Sequence, residues 1–339
     1  MSFENLVFEG GGVKGMAYAG AIEVLEQRGL LTGVKRVAGA SAGAITAALL
    51  ALGITSQQLN QVLTTTPFAS FMDGKGWIFR DTYRLVKGYG LHEGNTCETW
   101  IREQLATLTK QLTGTAQSEL TFGQLRELTR QYPGVCRELY VVTTNLTRQL
   151  PEVFCADSYP DVSIAQAVRM SMSIPFFFEA VHFGGSVYID GGVSWNYPID
   201  LFDGVLHQPV LGIAPRPVAR DRTGSEDFVA KTLGFNLGTT AEISSQRQDW
   251  QPLAAPISNL REFVKGFVNF MLHESNRLHA DAASLQRTVF IDNAGVSTTD
   301  FELSPERIAT LVENGRKATS AYLEGLQGDT VPGAATASR

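Results

Sequence analysis

Cysteine is scarce in this chain of 339 residues. Cys97, Cys136 and Cys155 are odd in number and form no C-x-x-C pair, which excludes a disulfide framework and a cysteine zinc site. Histidine is nearly as sparse. None of the five sits in an H-E-x-x-H pattern, and His273 and His279 are spaced to face different sides of a helix. Positive charge is in deficit, with 28 Lys and Arg against 34 Asp and Glu for a net charge of −6. That argues against nucleic acid as a partner. The longest apolar run, Ala44 to Ile54 with one Thr and one Gly, is far short of the ~20 residues that cross a bilayer. The opening stretch MSFENLVFEGG lacks the basic region of a signal peptide. These absences lead us to expect a soluble, cytoplasmic protein. They do not exclude contact with lipid, which apolar side chains rather than cations meet.

What is present is a large apolar fraction, 44% of residues, with only 18% charged, enough to build a sizeable core. Strand-like and helix-like segments alternate, which predicts an α/β fold with a mainly parallel sheet. Strands are expected at Asn5–Phe8, Val34–Ala38, Leu139–Thr144, Val187–Ile189, Val210–Ala214 and Thr288–Ile291. Helices are expected at Lys14–Gln27, Ala42–Leu52, Cys97–Thr109, Phe122–Tyr132, Ser163–Met170, Ile257–His279 and Pro305–Leu326. Between residues 67 and 94 neither period holds, and this aromatic, glycine-containing stretch reads as a cap. One compact domain over residues 4–326 is the expectation, with residues 327–339 a disordered tail because they have almost nothing to bury.

Gly10-Gly11-Gly12-Val13-Lys14-Gly15 follows a strand and opens a helix. Three consecutive glycines expose N–H groups that suit either a dinucleotide pyrophosphate or an oxyanion. A dinucleotide site wants an acid at the end of the next strand, and Val34-Lys35-Arg36-Val37-Ala38-Gly39 has none. That strand leads instead into Gly39-Ala40-Ser41-Ala42-Gly43, a G-x-S-x-G between strand and helix, the context of a nucleophile elbow. The plainer reading is a serine helix cap among small residues. Asp190-Gly191-Gly192 ends a third apolar strand, where sheet-based active sites gather, although an isolated Asp-Gly is more often a turn.

In order and spacing these motifs resemble the patatin-like phospholipase family. The resemblance also takes in the helix leading to Pro175, Asn196 and Pro198 after the third motif, and Asp300-Phe301-Glu302-Leu303-Ser304. Glu9 stands where many members carry Asp, and Lys14 where Arg is commoner; neither removes a backbone N–H. The resemblance implies a three-layer α/β/α fold and acyl-ester hydrolysis by a Ser–Asp dyad, with Ser41 as nucleophile and Asp190 as its general base. It implies an oxyanion hole at Gly10, Gly11 and Gly12, supported by Val13, Lys14, Gly15, Gly39, Gly43, Gly191 and Gly192. It requires no cofactor and no metal. The implied partners are phospholipid or lysophospholipid substrates and a membrane surface met peripherally, with an activator left open. Phe68, Phe71, Trp77, Ile78, Phe79, Phe176–Phe178 and the run from Phe263 to Leu272 are candidates for an acyl groove, with core packing the simpler role for each. Competing classes are a nucleotide-binding oxidoreductase using the glycine loop, which leaves Ser41 and Asp190 unexplained, and a non-catalytic lipid-binding module, against which the intact serine and acid argue.

Overall fold

A computed structural model describes residues 2–72, 90–203, 231–247, 257–279 and 281–328. The strands are β1 (Asn5–Phe8), β2 (Arg36–Ala40), β3 (Gly90–His92), β4 (Glu138–Asn145), β5 (Leu150–Phe154), β6 (Phe176–Phe178), β7 (Val181–Phe183), β8 (Ser186–Asp190), β9 (Thr232–Gly238) and β10 (Thr288–Asp292). The α-helices are α1 (Tyr18–Gln27), α2 (Ala42–Ala51), α3 (Ser56–Thr65), α4 (Asn95–Thr113), α5 (Phe122–Gln131), α6 (Ile164–Ser171), α7 (Gly192–Trp195), α8 (Thr240–Arg247), α9 (Leu260–His279), α10 (Ala282–Gln286) and α11 (Pro305–Gly328).

Among the described residues, eight strands form the main sheet in the order β10-β9-β1-β2-β4-β8-β7, with β5 beside β4. The run from β10 to β4 is parallel, while β5, β7 and β8 are antiparallel to their neighbours. Strand alternation feeds two separate cores. Leu6, Phe8, Val37, Leu139 and Val141 face one apolar cluster, whereas Val7, Ala38, Ala40 and Val142 face another with Trp195, Tyr197 and Ile199. A central sheet with a core on each face is the expected three-layer arrangement. Helix α2, AGAITAALLA, is buried at every position, as a helix apolar all round must be.

Several boundaries depart from expectation. The helix expected from Lys14 begins instead as a 3-10 segment, Gly12–Ala17, and becomes α-helical only at Tyr18. The strand expected at Val34–Ala38 runs two residues later, because Val34 belongs to the turn before it. Strands β5 and β9, the short β3, β6 and β7, and helices α3, α7, α8 and α10 are not among the expected elements. The strand expected at Val210–Ala214 lies outside the described residues. Of the stretch read as a cap, a 3-10 turn at Phe68–Phe71 and strand β3 are described; β3 pairs with β6 in a separate ribbon. Helix α11 continues to Gly328, so the first two residues of the expected tail are helical.

Candidate active site

The third motif reaches the site by a different route from the one its sequence suggests. Strand β8 is not a parallel strand ending at the sheet's C-terminal edge; it runs antiparallel to β4. Val141 and Val142 of β4 pair with β2 on one side and β5 on the other, while Thr143 to Asn145 pair with β5 and β8. Strands β2 and β8 therefore lie on the same side of β4 and run toward each other. Ala40 pairs with Val142 and Asp190 with the next residue, Thr143. Ser41, which follows Ala40, is delivered to Asp190 by the meeting of two strand ends.

Ser41 has φ 52° and ψ −127°, a positive-φ conformation strained for a residue with a side chain. The turn is tight enough that a Cβ on Gly39 would lie 2.3 Å from the Gly43 carbonyl carbon, and one on Gly43 would lie 2.3 Å from Phe8 O. Glycine is needed at both places for space. The Ser41 N–H donates to Ser171 Oγ, and its hydroxyl faces Met172 Sδ at 3.7 Å.

Asp190 is buried, and its Oδ1 accepts the Gly192 N–H at 2.7 Å. Among the described residues no donor reaches Oδ2 in bonding geometry. Burial pushes the carboxyl up to about 7; the nearby Ser41 hydroxyl and the Gly192 N–H pull it back only in part. The hydroxyl is thus close enough to be felt by the carboxylate, although no well-formed hydrogen bond joins them in the free protein.

Gly12 adopts φ 56°, and a Cβ there would strike Thr298 O at 2.0 Å. Gly10 N–H is committed to Asn196 O at 3.0 Å, whereas among the described residues no hydrogen bond takes the N–H of Gly11 or Gly12. Of the three glycines expected to offer donors, two therefore have one to offer. Val13 N–H is spent on Thr298 O, and the Lys14 stem folds over Gly11. Glu9, just ahead of the loop, is buried and accepts from Asn196 Nδ2, Asn276 Nδ2 and the Leu237 N–H. Burial pushes its carboxyl up to about 7, offset in part by Lys14.

Gly10, Gly11, Ser41 and Asp190 line one cleft, with about 330 Å³ of empty space measured out to solvent. Its apolar walls are Ile174, Pro175, Val193, Val268, Met271 and Leu272. Gly39, Gly43, Gly191 and Gly192 support the two turns from behind. Met271 and Leu272 belong to the run suspected of forming an acyl groove, while Phe263, Phe267 and Phe270 of the same helix are exposed. Phe176 is exposed against Phe267; Phe178 and Phe71 are core residues, and Phe177 and Phe68 are half-buried. Trp77, Ile78 and Phe79 lie outside the described residues. Sequence reasoning did not single out Thr298, which lines the cleft with a buried hydroxyl that finds no partner among the described residues, or Ser171 as a support. Neither stands in a motif that specifies a side chain's role. None of the described histidines, His92, His182, His273 and His279, lines the cleft; His207 lies outside the described residues.

Among the described residues no helix is long and apolar enough to cross a membrane. The model of the patatin-like phospholipase family matches residues 6–203. Uncharacterized protein YqhO of Bacillus subtilis (strain 168) is 31% identical over 332 residues, covering 94% of this chain and 97% of that one. A protein of Invertebrate iridescent virus 6 named as a probable lipid hydrolase, 463L, is 26% identical over 200 residues, 59% of this chain and 63% of its own. In fold the chain is similar to VipD from Legionella pneumophila, with a TM-score of 0.58 at 20% identity, covering 95% of this chain and 67% of that one. Matched over more than half its length by the family model and over nearly all of it by a relative, the chain belongs to the patatin-like phospholipase family, a family of lipid acyl hydrolases.

Proposed function

We propose that the chain is a phospholipase A or lysophospholipase that cleaves acyl esters through a Ser41–Asp190 dyad and an acyl-enzyme. The observation that carries this reading is the buried Asp190 Oδ2, without a well-formed hydrogen bond among the described residues, lining the same cleft as a serine held in an elbow conformation. Asp190 takes the hydroxyl proton as Ser41 Oγ bonds to the acyl carbon. The oxyanion meets the N–H groups of Gly11 and Gly12, and a donor of this kind is worth ~3–4 kcal/mol in the transition state. Collapse expels the alcohol, which takes the proton from Asp190 and leaves Ser41 acylated. Water then repeats the sequence and releases the fatty acid. A carboxyl near 7 is matched to a base that must accept and return a proton close to neutrality.

No step calls for a cofactor or a metal, since backbone groups supply the charge stabilisation. Exposed Phe176, Phe263, Phe267 and Phe270, on elements that line the cleft or adjoin its wall, support peripheral contact with a lipid surface. The test is incubation of wild type and Ser41→Ala with a mixed lipid extract, with fluorophosphonate labelling in parallel. Wild type releases fatty acids and is labelled at Ser41; the variant stays folded and does neither. Hydrolysis by Ser41→Ala at near the wild-type rate refutes the assignment.

A further inference from the structure

We propose that the side-chain oxygen of Asn196 holds the water that releases the acyl group, and that Glu9 fixes the amide so that this oxygen faces the dyad. The inference rests on the Ser41–Asp190 reading above. Asn196 Nδ2 donates to Glu9 Oε1 at 2.9 Å, an oxygen that also accepts from Asn276 Nδ2; the ionised carboxylate accepts only, so in that form it holds the amide nitrogen on that side. The opposite atom, Asn196 Oδ1, is buried and finds no donor among the described residues. Its place is defined by the two glycines around it. A Cβ on Gly10 would lie 2.4 Å from Asn196 Oδ1 and 3.1 Å from Ser41 Cβ. One on Gly192 would lie 2.5 Å from Asn196 Oδ1 and 3.0 Å from Asp190 Oδ1.

The cleft thus presents two buried acceptors beside Ser41, Asp190 Oδ2 and Asn196 Oδ1, each without a protein donor among the described residues. A molecule with two O–H donors on one oxygen satisfies both, and water is that molecule. One hydrogen points to Asp190 and the other to Asn196. As the water oxygen bonds to the acyl carbon, its first proton passes to Asp190. The tetrahedral species then breaks its bond to Ser41 Oγ, which takes that proton back. The second hydrogen stays on the carboxylic acid that leaves. During acylation the same space holds the departing ester oxygen, which becomes an alcohol with a single O–H for Asp190. Asn196 therefore acts on deacylation and is dispensable for acylation; Glu9 is a positioning residue that works through it.

Pre-steady-state turnover of a p-nitrophenyl acyl ester separates the two steps. We expect Asn196→Ala and Asn196→Ser to release a burst of about one nitrophenolate per active site, then turn over at least about tenfold more slowly than wild type. Intact-mass measurement of the quenched variants is expected to show the acyl adduct, located on Ser41. Asn196→Ser retains a hydroxyl for Glu9 and carries the test if Asn196→Ala does not fold. Glu9→Gln, whose amide accepts either orientation of Asn196, is expected to give a smaller burst. Loss of burst rate and steady-state rate together without an adduct, or unchanged turnover, overturns the proposal. Wild-type hydrolysis that does not acylate Ser41 refutes the dyad reading instead.

Discussion

The hydroxyl of Ser171 accepts the Ser41 N–H at 2.8 Å and donates to Val142 O at 2.6 Å. The strained elbow is thereby pinned to β4 through one buried side chain at the end of α6. Two residues on, Ser173 O accepts the Asp190 N–H at 2.9 Å. A single short segment holds the nucleophile's backbone and the acid's backbone at once. Ser171→Ala leaves the Ser41 N–H and Val142 O without this partner, and each unsatisfied buried group costs about 1–3 kcal/mol. Urea unfolding is expected to show a loss of that order, and the variant is expected to hydrolyse esters at least about tenfold more slowly because Ser41 is no longer fixed. Full activity would mean that the elbow holds its own shape.

On the dyad proposed above, replacing Asp190 removes the base. Asp190→Asn is expected to lower kcat by about 10³ or more, whereas each single His→Gln change leaves it within about tenfold. His279 illustrates why: its Nδ1 lies 3.3 Å from Asp200 Oδ2 and its ring stacks on Trp195, away from the cleft lining. A folded His→Gln variant as inactive as Asp190→Asn would replace the dyad with a triad.

Asp190 and Glu9 are both pushed up to about 7 by burial, well above ordinary carboxyls, and this sets activity and stability in opposition. As the proposed base, Asp190 must be ionised, so kcat/KM is expected to rise with pH and level off above about 7. A carboxyl whose folded pKa exceeds its unfolded one stabilises most below the unfolded value, and that stability is lost as pH rises through the folded value. Each group is therefore expected to cost about 1.4 kcal/mol of stability per pH unit between roughly 4 and 7. Urea midpoints measured across that range are expected to fall with pH, and less steeply in Asp190→Asn. Midpoints that rise with pH would contradict the burial of these charges.

Hydrolysis is expected to survive excess chelator, because in the proposed mechanism the N–H groups of Gly11 and Gly12, not a divalent cation, meet the oxyanion. Activity lost to EDTA and restored only by calcium would place a metal in the chemistry.

The sequence was most readable where the backbone itself restricts the residue type. Gly39 and Gly43 have no room for a Cβ, so the elbow announces itself locally. Strand β9, TLGFNLG, is buried throughout and central to the sheet, yet it was not legible. Its Gly234 looks like a breaker, but a Cβ there would lie 1.9 Å from the Tyr197 hydroxyl, so glycine serves packing rather than a turn. Helix α3 carried a readable signal, the Thr55–Gln58 capping box, which its polar composition obscured. The direction of β8 and the Glu9–Asn196 contact are set by residues far apart in the chain, and local pattern holds no information about either.

The position of β1, between β2 and β9, decides the order in which this chain can become active. Its register is shared with a strand that begins at Thr232, and Asn5 Nδ2 donates to Thr232 Oγ1 across that span. On the ribosome the glycine loop and Ser41 emerge long before that partner, and Asp190 also precedes it. Contacts so distant in sequence form late, after the loop-closure entropy is met. Until then β1 keeps one edge unpaired, and Glu9 lacks both the Leu237 N–H and Asn276. A nascent chain carrying the glycine loop, Ser41 and Asp190 but not β9 is thus expected to hydrolyse nothing, which a fragment ending at residue 203 would reveal.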